Sequence, residues 1–166
     1  TGNQNLVIAG ISPEKRPAIE AVLEKYGVLE ATFRQTALRQ NSIACVALNT
    51  CSQAFAEAER YLPSLIDQID LIIRSNRLEK DAINIRMTGC PNGCARPYNC
   101  DIGLVGKAAG KYTIFVGGRL LGDRLNFNYK DMVPAADVVP SIVPVLAYFK
   151  QAREECETLG DFCHRK

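Results

Sequence analysis

The segment Thr88-Gly89-Cys90-Pro91-Asn92-Gly93-Cys94 constrains the fold of this chain most, because it turns the backbone sharply between two thiols. Glycine, proline and asparagine are typical of tight turns, so the segment marks a boundary between regular elements. A sharp turn can direct successive thiolates and backbone N–H groups towards one centre. The sequence therefore predicts a binding loop here.

A second pair of cysteines suggests what the loop binds. Five residues separate Cys45 from Cys51, and three separate Cys90 from Cys94. Structural zinc sites favour two to four intervening residues, so the first pair fits zinc poorly. Four thiolates also suit an iron–sulfur cluster, and buried inert or redox-active thiols are the third interpretation. Spacing favours the cluster without deciding among the three.

Composition limits the class of protein. The 166 residues are 47% hydrophobic with a net charge of +2, which predicts one domain over residues 1–166 and argues for neither nucleic acid nor a membrane as partner. Seven cysteines without a secretory signal indicate a reducing compartment, so we expect a cytoplasmic protein, or a plastid one in a photosynthetic eukaryote. Cys100, Cys156 and Cys163 have no partner at ligand spacing, and we interpret them as incidental.

Hydrophobic periodicity predicts an α/β layered domain with a mixed sheet flanked by helices. Short apolar or alternating runs predict strands at residues 5–9, 82–88, 102–105 and 112–116. Helical spacing predicts helices over residues 12–27, from residue 52 to 61, from residue 62 to 73, and from residue 144 to 157. Pro140 and Pro144 argue against an uninterrupted helix from Asp137.

The residues around the cysteines resemble the sirohaem-dependent sulfite and nitrite reductases. The similar stretches follow the family's order along the chain: Asn3-Gln4-Asn5-Leu6, Ala44-Cys45-Val46, Thr50-Cys51, Ala56-Glu57-Ala58-Glu59-Arg60-Tyr61-Leu62-Pro63, Met87 to Tyr98, Gly103-Leu104-Val105-Gly106 and Gly160-Asp161-Phe162. One departure is Asn99-Cys100-Asp101, where the family usually has an alanine and a glutamate at the last two positions.

The resemblance implies a ligand set. It implies that Cys45, Cys51, Cys90 and Cys94 hold a 4Fe–4S cluster, and that Cys94 also bridges to the sirohaem iron as its axial ligand. It places Gln4, Asn5 and Asn92 near the sirohaem. It identifies no catalytic residue in this chain.

The resemblance also implies an activity, the six-electron reduction of sulfite to sulfide in sulfur assimilation. The stretches Ala95-Arg96-Pro97-Tyr98 and Gly160 to Arg165 are most similar to ferredoxin-dependent sulfite reductases, which makes ferredoxin the expected electron donor and an NADPH-flavoprotein the alternative. Two other functions stay open: a ferredoxin-dependent nitrite reductase, or a standalone electron-transfer module without catalytic activity. Family members are longer, so we expect a C-terminal fragment that is inactive without the N-terminal half, which supplies most sirohaem- and substrate-binding cations.

Overall fold

The computed structural model describes residues 5–166, so Gln4 lies outside the described residues. These residues form two compact units, one ending at Thr36 and the other spanning Ala37–Lys166. None of the helices in the described part of the chain is long and apolar enough to cross a bilayer.

The first unit is helical. A 3₁₀ turn, Pro13–Lys15, leads into helix α1, Arg16–Lys25, and helix α2, Val28–Phe33, follows. Gly27 separates the two helices in a left-handed conformation with φ of 70°, as expected of a residue that ends a helix. The helical structure from Pro13 to Lys25 lies where a helix over residues 12–27 was predicted.

The predicted strand at residues 5–9 is wrong. These residues are irregular, and the Leu6 side chain is 86% exposed. A strand needs a neighbouring strand to accept and donate its backbone hydrogen bonds, and the sheet found among residues 5–166 does not include this segment.

The second unit is built on a five-stranded sheet in the order β1-β2-β3-β4-β5. Its strands are β1 (Ile43–Ala44), β2 (Ile85–Thr88), β3 (Ile102–Ala108), β4 (Lys111–Val116) and β5 (Phe127–Pro134). The pairs β1–β2 and β2–β3 are parallel, whereas β3–β4 and β4–β5 are antiparallel. The prediction of a mixed sheet is confirmed, and β5 is a strand that the sequence pattern did not reveal.

Helices cover one face of this sheet. They are α3 (Ala37–Asn41), α4 (Leu62–Ser75), α5 (Ala135–Ala152) and α6 (Leu159–Arg165). The predicted apolar stripe of α4 is buried, and it shares one core with Ile85 and Met87 of β2 and Leu104 of β3. Pro63 lies in the first turn of α4, where the missing N–H has no helical partner to lose.

Residues 52–61 are not helical, contrary to the prediction. They form an irregular loop in which the backbone N–H groups of Phe55 and Ala56 both donate to the carbonyl of Gly89. The N–H of Glu59 donates to the carbonyl of Cys45. Hydrogen bonds to distant segments have replaced those of a helix, and a local pattern cannot reveal them.

Helix α5 starts nine residues before the predicted position and ends at Ala152, with both prolines inside it. Pro140 and Pro144 leave the carbonyls of Ala136 and Pro140 without their helical donors. All three residues are exposed, so water can hydrate those carbonyls. Burial of the opposite face, which includes Phe149, stabilises the helix despite the two lost bonds.

A buried carboxylate ties the sheet to α6. Asp101 accepts hydrogen bonds from the backbone N–H of Asn84 at 3.0 Å, from the Asn84 side-chain amide, and from the N–H of Gly160 at 2.9 Å. Burial raises the pKa of Asp101 to about 6, although these donors oppose the rise.

This carboxylate predicts a pH-dependent stability. The pKa of Asp101 is higher in the folded protein than in the unfolded chain. Its contribution to the free energy of unfolding is therefore complete below about pH 4. That contribution falls by up to about 3 kcal/mol as pH rises through about 6. We expect urea unfolding to show this fall between pH 4 and 6.5. Asp101→Asn should be less stable, since its amide would face the Asn84 donors, but should lack this pH dependence. Parallel pH profiles for the two proteins would contradict the assignment.

Candidate metal centre

Cys45 lies where β1 leaves the sheet. Its N–H donates to the carbonyl of Met87 at 3.0 Å, which continues the parallel β1–β2 ladder by one residue. The next ladder bond would join the N–H of Gly89 to the carbonyl of Cys45. Instead, that N–H donates to Cys45 Sγ at 3.3 Å. The sulfur thus receives a backbone hydrogen bond of the kind that stabilises a metal-bound thiolate.

Cys51 is held in a tight turn that follows Cys45 directly. Its N–H donates to the carbonyl of Ala47 at 2.7 Å, and its carbonyl accepts from the N–H of Ala54 at 3.2 Å. Ala47 is buried with a left-handed φ of 48°. The loop then docks on Gly89 through the N–H groups of Phe55 and Ala56, at 2.8 and 3.1 Å. Backbone hydrogen bonds therefore fasten the loop of the first cysteine pair to the turn of the second.

Gly89 allows this close approach. A Cβ at this position would lie 2.5 Å from the carbonyl oxygen of Ala56 and 2.6 Å from Cβ of Ala47. Both distances are shorter than van der Waals contact permits, so a larger residue would force the two loops apart.

The second pair occupies the turn that the sequence predicted. The N–H of Arg96 donates to the carbonyl of Gly93 at 2.7 Å, and the hydroxyl of Tyr98 donates to the carbonyl of Pro91 at 3.0 Å. Cys90 is buried at the base of the turn, whereas Cys94 is exposed. Of the four thiols, Cys94 is thus the most accessible to a second group.

Backbone hydrogen bonds bring the two pairs together. The N–H of Gly89, the residue before Cys90, donates to Cys45 Sγ at 3.3 Å. Burial raises the pKa of the Cys45 thiol, and negative charge on Cys94 and Cys90 would raise it further because like charges repel. Cys51 lies in the adjoining turn, half-buried like Cys45.

These residues fit an iron–sulfur cluster. All seven cysteines are free thiols, and four thiolates are the usual donor set of a 4Fe–4S cluster. Among residues 5–166, no three His, Cys, Asp or Glu side chains are grouped closely enough to hold a single metal ion. A four-iron cluster does not need such a group, because each thiolate binds a different iron.

The remaining predicted site residues have separate positions. Asn92 is exposed in the turn, and its side-chain amide donates to Gln53 Oε1 at 2.5 Å, which links the two cysteine loops. Asn5 is exposed in the first unit, and Gln4 is not described. The sirohaem roles of Gln4, Asn5 and Asn92 stay predictions.

The three unpaired cysteines lie elsewhere. Cys100 is buried, and its thiol donates to the carbonyl of Pro97 at 3.0 Å, while burial raises its pKa. Burial also raises the pKa of Cys163 to about 12. Cys156 is exposed in the turn after α5. The structure therefore gives Cys100 and Cys163 the properties of small buried residues.

Arg86 of β2 belongs to none of the sequence motifs, and its side chain is only 3% exposed. Its guanidinium Nη1 donates to the side-chain oxygen of Asn99 at 3.0 Å and, more weakly, to the carbonyl of Arg96 at 3.4 Å. Both acceptors lie just beyond the Cys90–Cys94 turn. An arginine among the alternating apolar residues at 83–87 was the one available signal.

Comparison with known proteins identifies a matching family. The family model described as the nitrite and sulphite reductase 4Fe-4S domain matches residues 36–165. This range contains all four predicted ligands.

Individual proteins match over nearly the whole chain. A protein of Leptospira biflexa named NADPH sulfite reductase hemoprotein beta-component is 48% identical over 165 residues, covering 99% of this chain and 30% of the relative. A protein of the same name from Afipia carboxidovorans is 50% identical over 99% of this chain, and one from Staphylococcus epidermidis is 47% identical over 98% of it. Each match covers 28% of the relative. The chain thus spans about a third of the length of these relatives.

A solved structure matches the fold. The NirA protein of Mycobacterium tuberculosis superposes with a TM-score of 0.80, covering 99% of this chain and 32% of that protein, at 24% identity. The mixed sheet with flanking helices is therefore an architecture already seen in an experimental structure.

Proposed function

The chain belongs to the nitrite and sulphite reductase 4Fe-4S domain family, and from that premise we propose that it is the cluster-binding part of a sulfite reductase haemoprotein. The cofactors of this family are a 4Fe–4S cluster and sirohaem. One observation carries the proposal: the N–H of Gly89, the residue before Cys90, donates to Cys45 Sγ at 3.3 Å where strands β1 and β2 end, inside the matched range.

In this proposal Cys45, Cys51, Cys90 and Cys94 each bind one iron of the cluster. Cys94 also bridges to the sirohaem iron, which its exposure supports, because a bridging sulfur must reach a second cofactor. Gln4, Asn5 and Asn92 contribute polar groups near the sirohaem.

The protein's part in the chemistry is to hold and shield the ligands. When bound, the cluster and the sirohaem supply the one-electron steps that together reduce sulfite to sulfide. The N–H of Gly89 donates to Cys45 Sγ and stabilises its thiolate. Cys90 is buried at the base of the turn, so the protein shields its side chain from water.

We propose sulfite as the substrate and an NADPH-dependent flavoprotein as the electron donor. Sequence analysis favoured ferredoxin, but the relatives at 47–50% identity are named NADPH sulfite reductases. Their names favour the flavoprotein, and ferredoxin becomes the alternative. Because the chain spans about a third of these relatives, we propose that the active enzyme also needs their N-terminal part, so that the single domain expected over residues 1–166 is a piece of a longer reductase.

Two measurements test this function. The chain reconstituted anaerobically with iron and sulfide should absorb visible light as a 4Fe–4S protein, with iron and labile sulfide in equal amounts; a protein that stays colourless would overturn the cluster. The complete reductase should turn over sulfite faster than nitrite, and faster with the NADPH flavoprotein than with reduced ferredoxin. Preference for nitrite or for ferredoxin would reject the corresponding part of the proposal.

A further inference from the structure

Arg86 is a buried cation without a matching anion in its contacts. Within residues 5–166 its guanidinium forms no ion pair, and its buried Nε has no hydrogen-bond partner. Its contacts are the neutral acceptors on Arg96 and Asn99. A charge removed from water in this way is costly unless an opposite charge compensates it.

The charges around Arg86 leave it under-compensated. Burial lowers its pKa, and the like charge of Arg96 lowers it further. The carboxylate of Asp101 and the thiol of Cys100 act in the opposite direction with smaller effects. The Asp101 carboxylate accepts hydrogen bonds from the N–H groups of Asn84 and Gly160 and forms none with the Arg86 guanidinium. The polypeptide alone therefore provides too little negative charge at this position.

The position of Arg86 suggests where the missing charge lies. Ile85 and Met87 of β2 face the helical core, so the alternation of side chains places Arg86 on the opposite face of the sheet. The segment after the cysteine turn covers that face: the carbonyl of Pro97 approaches Gly103, the β3 neighbour of Arg86. Arg86 therefore lies beneath residues 96–99, the segment that directly follows Cys94.

We propose that Arg86 is the counter-charge of the cluster, and that it favours the cluster's reduced form. This inference rests on the proposed function. A 4Fe–4S cluster with four thiolates carries net negative charge, and reduction adds another negative charge. A fixed cation in a water-excluded position stabilises the more negative state, because the interaction is screened less than in solvent. Arg86 is a positioning residue in this scheme and does not touch the substrate.

A purely structural role makes different predictions. The two hydrogen bonds of Arg86 hold the segment after Cys94, where Arg96 has a left-handed φ of 54°. If this were all that Arg86 does, replacement would reduce cluster content but leave the midpoint potential of assembled clusters unchanged. The potential therefore separates the two roles.

The experiment compares the complete reductase with three variants by redox titration followed by electron paramagnetic resonance. Arg86→Gln removes the charge and keeps a donor, whereas Arg86→Lys keeps the charge. Arg74→Gln removes an exposed cation from α4, on the other side of the sheet. We expect Arg86→Gln to make cluster reduction about tenfold less favourable, a negative shift of about 59 mV for one electron. Arg86→Lys and Arg74→Gln should keep the wild-type midpoint.

A wild-type midpoint in Arg86→Gln, or an equal shift in Arg86→Lys, would overturn the proposal. If Arg86→Gln assembles no cluster, unfolding of the iron-free proteins decides. Without the cluster the Arg86 charge is uncompensated, so iron-free Arg86→Gln should be at least as stable as iron-free wild type, and lower stability would reject the counter-charge role. Failure of the proposed function gives a different result, a wild-type protein without any cluster signal.

Discussion

Replacing Cys94 by serine in the complete reductase is expected to remove the cluster spectrum and alter the sirohaem spectrum in the same protein. Both changes are expected because one sulfur is proposed to bind a cluster iron and the sirohaem iron. Sulfite turnover should fall by more than about 100-fold, beyond the loss typical of groups that only orient a ligand. Visible absorption, iron and sulfide analysis and steady-state turnover measure these effects.

The matched control is Cys156→Ala. Cys156 is exposed in the turn after α5, away from the four predicted ligands in the fold. Both spectra and the turnover should match wild type. An unchanged sirohaem spectrum in Cys94→Ser would show that Cys94 does not bridge, even if the cluster were lost.

Gly89→Ala is the second change with a large expected effect. The added methyl group would lie 2.5 Å from the carbonyl oxygen of Ala56, so the loop that carries Cys51 must move away from the turn that carries Cys90. Overpacking of this kind typically costs about 1–3 kcal/mol, and here the obstacle includes rigid backbone. We expect a lower melting temperature and loss of most of the cluster, measured by thermal unfolding and by iron per chain.

Gly110→Ala provides the control for this variant. Gly110 has a left-handed φ of 63° in the β3–β4 turn, but no atom lies within 4 Å of an added Cβ. Alanine there adds backbone strain of about 1–2 kcal/mol without moving a cysteine loop. Gly110→Ala should lose stability and keep its cluster. A full cluster in Gly89→Ala would mean that the two loops need not touch.

Local sequence patterns correctly predicted the elements whose own sequence shows the apolar face that stabilises them. The apolar stripe from Leu62 to Ile73 predicts a helix because burial of one face stabilises it, and α4 lies there. The apolar runs at residues 102–105 and 112–116 predict two strands, and β3 and β4 lie there. Where an element is held by contacts with segments far away in sequence, the local pattern gave a wrong prediction. Residues 52–61 have helical spacing, but their backbone N–H groups donate to the carbonyls of Gly89 and Cys45.

The cysteine turn, by itself, determined that thiols and backbone N–H groups would lie at an element boundary, and family resemblance named the four ligands. Only the tertiary structure decided how the two pairs meet. Gly89 N–H reaches Cys45 Sγ across 44 residues of sequence because β1 and β2 pair in parallel. On the opposite face of the sheet, the segment that follows Cys94 covers Arg86. No local pattern encodes either contact, since both arise from long-range packing of separate segments.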